Sequence, residues 1–144
     1  MKDHVTAVEQ SKRLLDAGVL STLSSMSWVR VPEWMGDSGY KIMGKWQLLV
    51  NPVVPEVGQE VIPAFTVADL IRMLPPDEDI YNLVVERSPN RGWDVCYREI
   101  GTNCLIRGKQ DISLVEALVQ MVEEIKREED ADPLHIRRIY PYVF

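Results

Sequence analysis

The chain has 144 residues, of which 46% are hydrophobic and 26% charged, and its formal net charge is -6. This length and composition are typical of one globular domain, 1–144, and exclude a disordered chain, while the excess of acid disfavours a protein that binds nucleic acid over its whole surface. No apolar run reaches the roughly 18 residues that cross a bilayer and the first residues lack a secretory signal, so we expect a cytoplasmic protein without membrane contact.

The first predicted element is a helix over about residues 7–17. Thr6 and Glu9 have the spacing of a capping box, in which each side chain accepts a hydrogen bond from the other residue's amide. Leu14 lies on an apolar side, and Gly18 suits the left-handed position that follows many helices.

A tryptophan-rich segment, 26–50, predicts two neighbouring strands, SWVRV and KWQLLV. The GDSG between them, at 36–39, is the tetrapeptide that surrounds the nucleophile of chymotrypsin-like proteases. Ser38 lies early in a short chain with only His4 before it, so a turn is the better interpretation. The proline-rich connector 51–63 predicts extended chain and is the best candidate for a boundary between sub-domains.

The second helix, predicted over 66–74, has clear start and stop signals. Thr66 and Asp69 form another capping box, and Pro75 and Pro76 prevent the helix from continuing. Its apolar stripe predicts that the helix fills a core rather than presenting a groove to a partner. The stripe is Val67, Leu70, Ile71 and Leu74.

Three further strands are predicted in IYNLVVE, WDVCYREI and CLIRG, the first two joined by the turn-forming RSPNRG. In the middle strand Trp93, Val95 and Tyr97 alternate with polar residues, which indicates a sheet with one face on a core. A two-residue turn after this strand would pair Cys96 with Arg107 and place Cys104 on the opposite face, so we expect no disulfide.

The last helix, predicted over 113–126, begins with a third capping box at Ser113 and Glu116. An acidic run over 123–132 lacks the ligand spacing of a calcium loop and predicts a solvated helix end. The helix has an apolar stripe of Leu114, Leu118, Met121, Val122 and Ile125.

The order of elements is helix, strands, helix, strands, helix. Adjacent strands imply hairpins, so we predict an α+β fold with a mainly antiparallel sheet of about 4–5 strands. The helices, 7–17, 66–74 and 113–126, are expected to pack largely on one face of that sheet.

Five short blocks, EQSKRLLDAG, MSW, PAFTVADLIRMLP, GWDVCY and ALVQMVEEI, lie in this order over about residues 8–125. The pattern resembles a family of short uncharacterised proteins from gut bacterial genomes, often encoded near phage-like or other mobile DNA. That family has no assigned activity, so the resemblance implies an origin rather than a reaction. The connector VVPEVGQEV and the aromatic residues at 134–144 have no counterpart in it.

One local region opposes the overall charge, because residues 86–109 carry five basic side chains against three acidic ones. On one outer sheet face the basic set could meet an acidic partner or nucleic acid; alternatively it forms ion pairs across strands, such as Glu86 or Glu99 with Arg98. The set consists of Arg87, Arg91, Arg98, Arg107 and Lys109.

The tail segment, residues 134–144 (LHIRRIYPYVF), is unusually apolar. Exposed together in water, such side chains would form a patch of the kind that monomers avoid. We therefore expect the tail to dock along its own sheet or onto a second subunit as a homodimer, through Ile136, Tyr140, Tyr142 and Phe144.

Three functional hypotheses remain open. The chain has no phosphate-binding loop, dinucleotide motif or metal-ligand spacing, so we expect no cofactor and no metal. The first hypothesis is a non-catalytic interaction or accessory protein of a mobile element, with an unknown protein partner. The second is a nucleic-acid-binding protein that uses the 86–109 region, and the third is an enzyme whose site has no sequence signature.

Overall fold

A computed structural model describes residues 4–35, 40–50, 58–75, 81–89 and 92–131. Within these ranges the chain forms three α-helices, eight strands and a short 3₁₀ turn at Ser21–Leu23, which confirms the predicted α+β class. The helices are α1 (Val8–Asp16), α2 (Val67–Met73) and α3 (Leu114–Ala131). The strands are β1 (Met26–Arg30), β2 (Pro32–Met35), β3 (Tyr40–Met43), β4 (Gln47–Val50), β5 (Glu60–Ala64), β6 (Tyr81–Ser88), β7 (Gly92–Glu99) and β8 (Leu105–Asp111).

The described strands form two three-stranded antiparallel sheets, ordered β4-β1-β5 and β6-β7-β8, and a separate β2-β3 hairpin. The prediction of one sheet of 4–5 strands is therefore wrong. Strand β1 is paired on both sides, since Met26 lies opposite both Val50 and Ala64. Helix α2 then follows β5, so the chain leaves the first sheet before the second begins.

The second half of the predicted connector 51–63 takes part in the first sheet as β5. Pro63 has no amide hydrogen to donate, and an edge strand tolerates it because only one side of that strand is paired. Residues 51–57 and the GDSG at 36–39 lie outside the described residues, and the sub-domain boundary stays a prediction.

Helix α1 begins one residue later than the predicted cap. Ala7 is the N-cap, and its amide donates to Gln10 Oε1 at 2.8 Å. Thr6 is instead fully buried, where its hydroxyl contacts Ser11 Oγ at 2.6 Å and accepts from the Phe65 amide at 2.9 Å. The expected Thr6–Glu9 box is wrong because Thr6 joins two distant segments.

Helix α2 begins as predicted. The Asp69 amide donates to Thr66 Oγ1 at 3.1 Å, and the Thr66 amide donates to Asp69 Oδ2 at 2.9 Å. Leu70 and Leu74 are buried in the core, but Ile71 is 37% exposed, so the predicted stripe is wrong at that position. This seven-residue helix buries a narrow side against α3.

Helix α3 continues to Ala131, five residues past the predicted end. Its capping box is only half formed: the Glu116 amide donates to Ser113 Oγ at 3.2 Å, while the Glu116 carboxylate turns to Arg13. Arg127, Glu128 and Glu129 are good helix formers, and the sequence has no proline between position 126 and Pro133.

The β7–β8 register differs by one residue from the prediction, since Cys96 lies opposite Gly108 and Arg107 opposite Tyr97. The turn is longer than two residues: Gly101 and Asn103 both have positive φ, at 94° and 58°. An irregularity between Tyr97 and Arg98 absorbs the extra length. Both cysteines are free, as expected.

The main core lies between the second sheet and the helices. Helix α3 packs on β7 and β8, and α1 and α2 pack on α3, which confirms the predicted contact of α3 with the face of Val95 and Tyr97. The buried Tyr97 hydroxyl donates to the Pro75 carbonyl at 2.6 Å and ties β7 to the end of α2. A smaller cluster around Trp28 supports the first sheet. None of the described helices has the length and apolar character needed to cross a membrane.

Candidate functional site

A cleft of about 440 Å³ opens where the three helices begin. The first turns of α1, α2 and α3 and the start of β7 surround it. Most of its surface is apolar, a common property of binding sites. The apolar lining residues are Val5, Ala7, Val67, Trp93, Ile112, Leu114 and Val115, and the polar ones are His4, Gln10 and Ser113.

The segment before α1 forms one wall of the cleft and is fixed by hydrogen bonds. Val5 pairs with Thr66 in an isolated β-bridge. The Thr6 amide donates to the Phe65 carbonyl at 2.8 Å, and the Trp28 indole donates to the Thr6 carbonyl at 2.7 Å. Because these bonds hold both the amide and the carbonyl of Thr6, the fold itself keeps this wall in place.

The turn that leads into α3 forms the opposite wall. Asp111 Oδ1 accepts from the Ser113 amide at 2.9 Å, and Ser113 Oγ caps the helix. A Cβ at Gly92 would lie 2.8 Å from the Asp111 carbonyl oxygen, so β7 approaches this turn only with glycine at that position. This close packing fixes the backbone on both sides of Ile112.

Ile112 is the most exposed large apolar side chain of the described residues, at 84%. It immediately precedes the N-cap Ser113, where an apolar residue often packs against the fourth residue of the helix. That residue here is Ala117, which is already fully buried, so the usual contact does not cover Ile112. The Ile112 side chain therefore remains available at the mouth of the cleft.

Trp93 contributes the largest aromatic surface in the cleft. The Arg87 guanidinium lies 5.1 Å from the centre of its ring, a distance typical of a cation–π contact. Arg87 and Trp93 are also directly opposite in the β6–β7 register. The indole is thus held by a neighbouring strand while part of it faces the cleft.

The lining favours binding over acid–base chemistry. His4 is the single ionisable side chain among the described residues that line the cleft. The described part of the chain contains no group of three or more His, Cys, Asp or Glu that could hold a metal ion. The cleft offers a concave apolar surface and a few hydrogen-bonding groups.

Arg107 and Lys109, two members of the predicted basic set, face α3 rather than the outer side of the sheet. Arg107 binds Glu128 at 2.8 Å and Glu124 at 3.1 Å, and Lys109 binds Glu124 at 3.2 Å. Burial lowers the pKa of Arg107, but its bonds to Glu128 and Glu124 outweigh burial and raise that pKa overall. With 15% of its side chain exposed, Arg107 is not the exposed residue that a binding face requires.

The other basic residues do not share one surface either. Arg98 lies on the opposite face of the sheet and pairs with Glu86 at 3.4 Å, the cross-strand pair that the sequence allowed. Arg87 lies on the Trp93 side. Arg91 is outside the described residues, as are the predicted oligomer contacts Ile136, Tyr140, Tyr142 and Phe144. Both predicted sets stay predictions.

The acidic run on α3 is largely engaged in ion pairs. Arg13 of α1 binds Glu116 and Glu123, and Arg127 also binds Glu123 at 3.2 Å. The hydrogen bonds that Arg13 donates to Glu116 and Glu123 raise the pKa of Arg13 above its ordinary value. The expected solvated helix end is therefore wrong at Glu123, which is 7% exposed, and at Glu124 and Glu128, which meet β8.

The sequence prediction missed the cleft because its walls come from segments that are far apart in the chain. The one local signal was an isoleucine in the short stretch between the strand CLIRG and the cap at Ser113. An apolar residue there suggests a contact but does not identify it.

Comparisons of the chain with protein-family models, with curated proteins and with solved structures found no match. The site therefore has to be interpreted from its own geometry and chemistry.

Proposed function

We propose that this protein is a small, non-catalytic interaction protein that binds an apolar segment of a partner protein in the cleft. The exposed Ile112 at the mouth of the cleft carries the proposal. The resemblance over residues 8–125 supports an origin in a mobile element as part of the same proposal.

The size and lining of the cleft indicate the kind of partner. At about 440 Å³, its volume is in the range of pockets that enclose a small ligand or a few large side chains. Scattered exposed leucines or isoleucines are normal on a protein surface. Ile112 differs because Trp93 and Leu114 line the same cleft. Tryptophan is frequent among the residues that contribute most to the binding energy of protein interfaces.

The nucleic-acid alternative has less support. Carboxylates of α3 already neutralise Arg107 and Lys109, and Arg98 meets Glu86. A protein that binds the phosphate backbone needs cations free to replace counterions. If the alternative were correct, the wild-type protein would bind duplex DNA or RNA at low salt, and its affinity would fall steeply as salt increased.

Peptide display tests the proposal even though the partner is unidentified. We expect random peptides selected on the wild-type protein to be enriched in aromatic and aliphatic residues. Ile112→Ser should weaken their binding at least about tenfold, because it replaces an apolar contact residue with a polar one. A tenfold change in affinity corresponds to about 1.4 kcal/mol. The matched control is Leu20→Ser, at another exposed position (65%) outside the cleft lining. Equal binding by Ile112→Ser and wild type would contradict the proposal.

A further inference from the structure

We infer that residues 140–144 of the same chain occupy the cleft when no partner is bound, so that a partner must displace them. This inference rests on the proposed function, since it requires a cleft that binds apolar segments. It adds an occupant and a form of regulation to that function.

The length of the chain after α3 fits this arrangement. Helix α3 has 18 residues, so its last residue lies about 27 Å along the axis from the cleft, at about 1.5 Å per residue. Residues 132–144 follow it, and an extended chain spans about 3.3 Å per residue. About eight residues, 132–139, would run back along the helix, which brings 140–144 to the cleft.

Residues 140–144 are mostly aromatic, and the lining of the cleft is mostly apolar. Residues 140–144 read Tyr-Pro-Tyr-Val-Phe and contain no charged side chain. In an extended segment Tyr140, Tyr142 and Phe144 would project to one side, towards Trp93, Ile112 and Leu114. Pro141 limits the conformations of the free segment, which reduces the entropy lost on docking.

The connecting residues 132–139 are more polar, and the surface along α3 matches them. Two depressions of about 310 and 330 Å³ lie beside the second half of this helix. Both are lined by Arg13, Glu123 and Arg127, so they carry charges of both signs. Such a charged surface suits the more polar residues 132–139 better than it suits the aromatic residues 140–144.

If residues 140–144 dock in the cleft of their own chain, they compete with a partner peptide for the same surface. A segment tethered by a short linker acts at an effective concentration in the millimolar range. A partner peptide therefore has to bind tightly enough to displace the tethered residues. Weakening the tethered segment should make the cleft bind the same peptides more tightly.

The test compares the full wild-type chain with a full-length triple variant in which the docking residues are changed: Tyr140→Ser, Tyr142→Ser and Phe144→Ser. We expect hydrogen exchange at residues 111–115 to become at least about tenfold faster, and the displayed peptides to bind at least about tenfold tighter. A free peptide of sequence 134–144 should restore slow exchange to the triple variant. The control is Leu134→Ser with Ile139→Ser, which changes apolar residues of the connecting segment and should leave both measurements as in wild type.

The remaining outcomes separate the alternatives. If the triple variant behaves as wild type in exchange and affinity while Ile112→Ser still weakens peptide binding, this inference is wrong and the proposed function stands. If Ile112→Ser does not weaken peptide binding, the proposed function fails and this inference fails with it. If light scattering shows a wild-type dimer that the triple variant converts to a monomer, the occupant is the tail of a second copy and docking within the chain is wrong.

Discussion

Asp69 illustrates how one buried side chain can hold several segments together. Its side chain is fully buried, and it accepts from the Ser25 amide at 2.8 Å, the Ser25 hydroxyl at 2.5 Å and the Thr66 amide at 2.9 Å. Arg72 binds the same carboxylate. The residue thus caps α2 and also fixes the chain that enters β1.

We expect Asp69→Asn to lower the free energy of unfolding by about 2 kcal/mol or more at neutral pH. Bonds to a charged acceptor are lost, and an amide NH₂ would face donors that then lack a partner. Urea denaturation measures the loss. Glu9→Gln is the control, since that side chain is 84% exposed and its removal should cost less than about 0.5 kcal/mol. Equal stability of Asp69→Asn and wild type would show that the carboxylate charge contributes nothing.

The same variant should change the response to acid. Burial raises the pKa of Asp69, but the hydrogen bonds from Ser25 and Thr66 outweigh burial and hold that pKa below its ordinary value of 3.8. A carboxyl with a lowered pKa in the folded state contributes its stability above the unfolded pKa and loses it as the pH falls through the folded pKa. The stability difference between wild type and Asp69→Asn should therefore be constant near neutral pH and narrow below about pH 4.

At the scale of elements, α2 offers a direct test of what its apolar residues do. Leu70 is fully buried in the main core, whereas its neighbour Ile71 is 37% exposed. Leu70→Ala should cost roughly 2–5 kcal/mol because it leaves a cavity in a packed core. Ile71→Ala should cost less than about 1 kcal/mol.

Leu118→Ala on the buried side of α3 should resemble Leu70→Ala, since Leu118 is also fully buried in the same cluster. Chemical denaturation of the three variants gives the comparison. Losses of similar size for Leu70→Ala and Ile71→Ala would show that α2 packs in a different orientation.

For the molecule as a whole, the sequence predicted what depends on neighbouring residues. The cap of α2 could be recognised because Thr66 and Asp69 are three residues apart, and the β6–β7 hairpin because turn formers separate two runs of strand-forming residues. Thr6 shows the same local pattern as Thr66, but Thr6 does not cap its helix. Its hydroxyl bonds Phe65, which lies 59 positions away, and such a contact has no signature in the local pattern.

The candidate site was less predictable for the same reason. The cleft combines four residues from the start of the chain (His4, Val5, Ala7 and Gln10) with Val67, Trp93 and residues 112–115, so it exists only after these segments assemble. The partners of the basic residues were also hidden: Arg107 and Glu128 are 21 positions apart, and Arg13 and Glu123 are 110 apart. Charge counted along the sequence did not reveal how much of it is neutralised in three dimensions.

The order of the elements also has a consequence for the rate of folding. Strands β6, β7 and β8 and helix α3 follow one another directly, so residues 81–131 can form their contacts by closing short loops. The pairing of β1 with β5 and the packing of α1 on α3 must instead close long ones, such as the 103 positions between Arg13 and Glu116. The transition state should therefore contain the second sheet with α3 and little of the first sheet. Stopped-flow measurements should find that Val95→Ala mainly slows folding and that Met26→Ala mainly accelerates unfolding; the reverse pattern would place the nucleus in the first sheet.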